Sequence, residues 1–164
     1  MRNATRLILA SLWLVGGWGG IAQARTGDAV VPAYGAVHAA DGLANRPDPS
    51  LRYRVAFDTT RAPADPEQIN PALERIARFM NLLAAEGVHP KAGDVVAIVY
   101  GAATPSILSD AAYRARFGRD NPNTALLRAL RKAWVSIEVC SYALSGQKIA
   151  RDAVADGIQV DLSA

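Results

Sequence analysis

Residues 94–105 read Asp94-Val95-Val96-Ala97-Ile98-Val99-Tyr100-Gly101-Ala102-Ala103-Thr104-Pro105, and this stretch decides the fold. Val95 to Val99 is an unbroken, largely β-branched apolar run, the kind expected of a strand buried on both faces of a parallel sheet. The small residues after it, Gly101 to Thr104, predict a loop at the strand's carboxyl end. Working outward, the strand signal recurs. Tyr53 to Phe57 is a short β-type run ending in Asp58-Thr59-Thr60, Trp134 to Val139 is another that ends at Cys140, and Ile158 to Leu162 closes the series. Between the first two runs stands Asn70-Pro71, a capping residue followed by one whose φ is pre-set for a first helical turn. Leu73, Ile76, Ala77, Met80, Leu83 and Ala84 then recur at three- and four-residue steps, one apolar helix face that Gly87 ends. Met80 reads as core filler. Further helices are expected over Ser106 to Phe117, broken near Asp110, over Pro122 to Lys132 with Asn121 as cap, and over Gln147 to Ala155. Strand and helix in alternation predict a small, open, mostly parallel α/β sheet with helices on both faces.

With 164 residues, 51 % of them apolar, the chain suits one domain with a real core and is too short for two. Met1 to Arg6 carries two positive charges, Leu7 to Val15 is uncharged and apolar, and Ala22-Gln23-Ala24 has the small-x-small pattern of a signal-peptidase site. Residues 1–24 therefore read as a cleaved export signal; the Gly-interrupted run from Leu7 to Gln23 is short for a membrane anchor. Without Arg2 and Arg6 the formal charge falls from +3 to +1. No Lys/Arg block interleaved with aromatics occurs, so nothing argues for nucleic-acid binding, and none of the mature chain is expected in a membrane. Residues 25–51, rich in Gly, Ala, Pro and Asp, read as an extended arm. Such an arm is either disordered or lies across a neighbouring subunit, and Val30, Val31, Tyr34 and Val37 give it something apolar to bury on docking. Residues 52–164 form the α/β domain.

Ligands and catalytic groups of such sheets gather at the carboxyl ends of the strands. That rule brings Asp58 and Thr59, Gly101 and Thr104, and Cys140 and Ser141 to one edge. Cys140 is the chain's one cysteine, so an exported protein of this sequence holds no internal disulfide. At a strand-to-helix turn it is either a small buried hydrophobe finishing a strand or a thiol poised to act as a nucleophile. His38 lies in the arm and His89 in the turn before the second strand, away from that edge, which argues against a Cys–His pair and against zinc. The phosphate-cradling G-x-G-x-x-G and G-x-x-x-x-G-K-[ST] motifs are absent, as are C-x-x-C and C-x-x-C-H, so no cofactor and no metal is expected.

From Tyr53 to Leu162 the chain resembles the DsrE/DsrF-like family, in its exported single-domain form. The likeness runs through Tyr53-Arg54-Val55-Ala56-Phe57-Asp58, Ile69-Asn70-Pro71, Ile76 to Leu82, Tyr100 to Thr104, Leu108 to Arg114, Phe117-Gly118, Asp120 to Asn123, and Val139 to Leu144. It implies a flavodoxin- and Rossmann-like three-layer domain that assembles as a homotrimer or homohexamer. It also implies a sulfur carrier, or sulfurtransferase-like protein, in which Cys140 bears a persulfide and exchanges it with a donor or acceptor protein. Asp58, Thr59, Gly101, Thr104 and Ser141 would line the pocket. Many relatives have Gly next to the cysteine and Arg-Gly after the loop, whereas here Ser141 to Gln147 follow. The alternative is a small-ligand-binding or structural oligomeric module in which Cys140 merely lines the pocket.

Overall fold

The computed structural model describes residues 29–38 and 41–163. The export signal expected over residues 1–24 lies outside the described residues. Four strands, β1 (Val55–Thr59), β2 (Val95–Val99), β3 (Val135–Cys140) and β4 (Gln159–Asp161), form one sheet in the order β1-β2-β3-β4. Every neighbouring pair is parallel. The α/β class and the parallel sheet are those the sequence predicts. The helices are α1 (Pro71–Ala85), α2 (Asp110–Phe117), α3 (Thr124–Lys132) and α4 (Ser141–Gly146), with 3-10 segments at Gly101–Ile107 and Arg151–Ala153.

Several boundaries differ from the sequence reading. The first strand runs on through Asp58 and Thr59, which were expected in a loop. The small residues Gly101 to Ile107 wind into 3-10 turns, and the helix expected over Gln147 to Ala155 reduces to one such turn at Arg151–Ala153. Its place after β3 is taken by α4, which begins directly after Cys140. Asn121 does not cap the third helix, which starts at Thr124 after Asn123. Trp134, expected to open β3, instead takes the left-handed conformation, φ +67°, in the tight turn from α3 into the strand.

The strand order explains where the helices lie. Each crossover moves the chain one strand in the same direction, and right-handed crossovers that never reverse all fall on one side of the sheet. The core has that form. Val95, Ala97 and Val99 of β2 and Val135, Ile137 and Val139 of β3 are buried with Leu73, Ile76, Ala77 and Met80 of α1, Leu126 and Leu130 of α3, Ile107 and Leu144. The alternate residues are different: Val96, Ile98, Ser136 and Glu138 are only partly buried, and Ala56 and Asp58 are exposed. Among the described residues no layer covers this second face, although Val95 to Val99 reads as a strand buried on both sides. A five-residue apolar run shows that a strand is central; it says nothing of which crossovers return on which side.

Among the described arm residues, Val31 to Gly35 lie on this chain's own α1 rather than being disordered or reaching across a neighbouring subunit. Asn81 grips them: the backbone N–H of Val31 donates to Asn81 Oδ1 at 2.9 Å, and Asn81 Nδ2 donates to the carbonyls of Val31, Tyr34 and Gly35 at 3.1, 2.9 and 3.1 Å. Val31 thereby joins the core. At the amino edge of the sheet the buried Asp94 carboxylate receives the Lys91 N–H at 2.8 Å and a 2.7 Å ion pair from Arg52. The Lys91 bond outweighs desolvation and, with Arg52 and Arg54, holds this carboxyl below its usual range. No described helix is long and apolar enough to cross a membrane.

Candidate functional site at the carboxyl edge

Cys140 is the last residue of β3 and the residue before α4, with extended backbone (φ −69°, ψ 124°). Its Cα pairs with that of Asp161 on β4. It is 8 % exposed. By two-residue alternation it is in step with Ser136 and Glu138, on the side of the sheet the helices leave open. Ser141 opens α4, and its hydroxyl donates to the Leu162 carbonyl at 2.7 Å, tying the start of the helix to the end of β4.

Gly101 follows Tyr100 at the end of β2 with φ +58°, and a Cβ there would stand 3.2 Å from the Thr60 carbonyl oxygen. Only glycine lets the chain turn this close to β1 without strain. The Gly101 carbonyl accepts from Thr104 Oγ1 at 2.8 Å and from Gln147 Nε2 at 2.5 Å, so the turn after β2 is bonded to the end of α4. Thr104 is fully buried, and its hydroxyl is engaged inside its own turn.

Asp58 and Thr59 lie elsewhere. They belong to β1, with β2 between them and β3, so they sit about 10 Å to the side of the Cys140 strand. Thr59 points into the helix-covered core, where its hydroxyl has no hydrogen-bond partner among the described residues. Asp58 instead lines a cavity of about 390 Å³ with Thr60, Arg61, Asn70 and Arg75. Neither arginine makes an ion pair among the described residues. A second cavity, about 180 Å³, lies between Ser109, Asp110, Thr124, Arg128, Arg131 and Asp156. Cys140 lines neither. Cys140 and Ser141 thus stand on one side and Asp58 and Thr59 on the other, with the Tyr100 to Thr104 turn between them, bonded to the end of β1 through the Thr59 and Thr60 carbonyls and to α4 through Gln147.

Two features escape sequence reading. The first is a buried asparagine network beneath the edge. Asn121 Nδ2 donates to the carbonyls of Ser106 and Leu108 at 3.0 and 2.7 Å, and its Oδ1 accepts both the N–H and the Nδ2 of Asn123 at 2.9 Å. Asn123 Oδ1 accepts the Asn70 N–H at 2.7 Å, and Asn70 in turn caps Ala72 of α1 at 2.9 Å and reaches Ser106 Oγ at 3.0 Å. The second is Glu138, next to Cys140 on the same side of β3. Burial pushes its carboxyl above the usual range, reinforced by a hydrogen bond with Asp161 and by that residue's negative charge. Alternation along the two strands was the available signal for that pair, but the register joining them appears only in the folded sheet.

The Glu138 proton has a measurable consequence. Because its pKa in the fold lies above the unfolded value of 4.5, the folded state holds the proton more tightly. That stabilisation is complete below about pH 4.5 and is lost as pH rises through the folded pKa. Glu138→Gln keeps a donor for Asp161 at every pH, so the variant should match wild type in acid and exceed it at neutral pH. Urea midpoints across that range check this; parallel pH profiles would contradict it.

The fold and its edge define an α/β domain with a parallel sheet and its candidate chemistry at the strands' carboxyl ends. No protein-family model matches the chain, and no curated protein matches it. Among solved structures it is similar to MTH1491 from Methanobacterium thermoautotrophicum, itself described as of unknown function, at 16 % identity over 68 % of this chain and 83 % of that one, with a TM-score of 0.48.

Proposed function

We propose that this chain is an exported, periplasmic DsrE-like sulfur carrier, sulfurtransferase-like in its chemistry, with Cys140 as its persulfide site. The observation that carries the reading is the position of the chain's one cysteine, between the end of β3 and the start of α4. Gly101, Thr104 and Ser141 support it by shaping the turns on either side. Residues Arg2, Arg6, Leu7 to Val15 and Ala22-Gln23-Ala24 support export. The protein acts as a homo-oligomer, a trimer or hexamer, and meets a donor or acceptor protein rather than nucleic acid or a membrane.

In the proposed step the Cys140 sulfur attacks the outer sulfur of a donor persulfide. A sulfur–sulfur bond forms on Cys140 while the donor's breaks, and the donor leaves as a thiol with the proton Cys140 gives up. No net oxidation occurs, and an acceptor thiol reverses the exchange. Mass spectrometry after incubation with polysulfide tests this. Wild type should gain the mass of sulfur and Cys140→Ser should not; no gain on wild type, or an equal gain on the variant, overturns the proposal.

A second reading, a small-ligand-binding module, is favoured by the cavity beside β1, which holds Asp58, Arg61 and Arg75 but is not lined by Cys140. Ligands that raise the melting temperature equally in wild type and Cys140→Ala would support it.

A further inference from the structure

We propose that the uncovered face of the sheet is where two copies of this chain meet, packed face to face about a two-fold axis that crosses the strands at right angles. The inference names a surface and symmetry for the self-association proposed above and rests on that part of the reading; Cys140, in step with Ser136 and Glu138, stands at the carboxyl rim of the same face.

Parallel sheets are found with both faces covered, because their strands are rich in apolar side chains that water would otherwise meet. Here the described residues cover one face, leaving Val96 and Ile98 at the centre of the other. The charges around that centre are not evenly spread. Arg54, just before β1 and in step with Ala56 and Asp58, is exposed at the amino end, with its Nε 3.9 Å from the buried Asp94 carboxylate that Arg52 holds at 2.7 Å. Asp58, Glu138 and Asp161 stand towards the carboxyl end.

This polarity selects the axis. A two-fold axis along the strands would set the carboxylates of one copy over those of the other. An axis across the strands runs the two sheets antiparallel and lays β1 on the partner's β1. With Ala56 near the axis, Arg54 of each copy then faces Asp58 of the other, because the two are equally spaced on either side of Ala56. Val96 meets the partner's Val96 beside it. Packed sheets stand about 10 Å apart, a gap that a long guanidinium arm and a short carboxylate span together. Such a self-complementary face pairs only in twos, so it fits a dimer or a hexamer and not an isolated trimer.

Four strands of this length project roughly 300 Å², well below the ~800 Å² per partner of a stable interface. Trp134 before β3, Tyr142 in α4 and Leu162 after β4 are exposed as well. The expected complex is therefore concentration-dependent.

Sedimentation velocity over a roughly hundredfold concentration range should show an even-numbered oligomer for wild type. Asp58→Arg and Arg54→Glu, both at exposed positions, should each weaken it at least tenfold by setting like charges opposite one another. The double variant should restore it. Far-UV circular dichroism and melting temperature establish that each variant is folded. A monomeric wild type overturns both this surface and self-association; an oligomer that the single reversals leave intact, or that the double variant fails to restore, overturns the surface alone. Polysulfide labelling of Cys140, read on the same samples, reports separately on the carrier.

Discussion

Asn121→Ala will lower the stability of the domain by about 3–5 kcal/mol, among the largest losses a single side chain here can cause. The side chain is buried, with both carboxamide groups committed: Nδ2 to the carbonyls of Ser106 and Leu108, Oδ1 to the N–H and side chain of Asn123. Alanine leaves those four groups without their partner in a site where stranded donors and acceptors cost about 1–3 kcal/mol each, less whatever water recovers. The damage spreads because Asn123 also holds the N–H of Asn70, the residue that caps α1. Against a total stability of about 5–15 kcal/mol, the loss should bring the melting temperature down by on the order of 10–20 °C. Urea denaturation should show a lower midpoint with an unchanged slope. Asn121→Asp, which keeps the oxygen that accepts both Asn123 bonds but loses the two donated ones, should also be destabilised. A loss below about 1 kcal/mol in the alanine variant would mean that the network does not hold the edge together.

That network marks the limit of what the sequence made legible. Val95 to Val99 identified a central strand and Leu73 to Ala84 a helix, because burial on one side imposes a spacing that survives as a pattern in one dimension. Asn70 was readable as a cap, since capping is local to four residues. Asn121 was misread as a cap for the same reason: a local rule was applied to a residue whose partners, apart from Asn123, lie 13 and 15 positions back. The position of Cys140 at a strand end was legible. Its separation from Asp58 by an intervening strand was not, because strand order is a property of the crossovers. The bare sheet face left its trace in β3 rather than in β2: Val135, Ser136, Ile137, Glu138 and Val139 alternate apolar and polar as a half-buried strand does, whereas the continuous run Val95 to Val99 hides the difference between its two sides.

The described arm residues Val31 to Gly35 show the same principle from the other side, since their docking depends on one glycine. Gly35→Ala should release them. Gly35 has φ +61°, and a Cβ built on it would lie 2.2 Å from the Arg78 backbone nitrogen and 2.6 Å from the Ala77 carbonyl carbon. These are main-chain atoms within α1, so no flexible side chain can move aside. The arm must lift, taking Val31 out of the core and leaving Asn81 without its four bonds to the arm. Exposing Val31 costs about 1.5–3 kcal/mol, stranding Asn81 adds about 1–3, and the freed residues regain conformational entropy that offsets part of both. A net loss of about 2–3 kcal/mol remains. Limited proteolysis should then cut the variant readily before Leu51 at a protease level that leaves wild type intact. Asn81→Ala acts on the same contact from the helix side, so the double variant should be little worse than either single one. Losses that instead simply add would show that the glycine and the asparagine stabilise the fold separately and that the arm is not held as one unit.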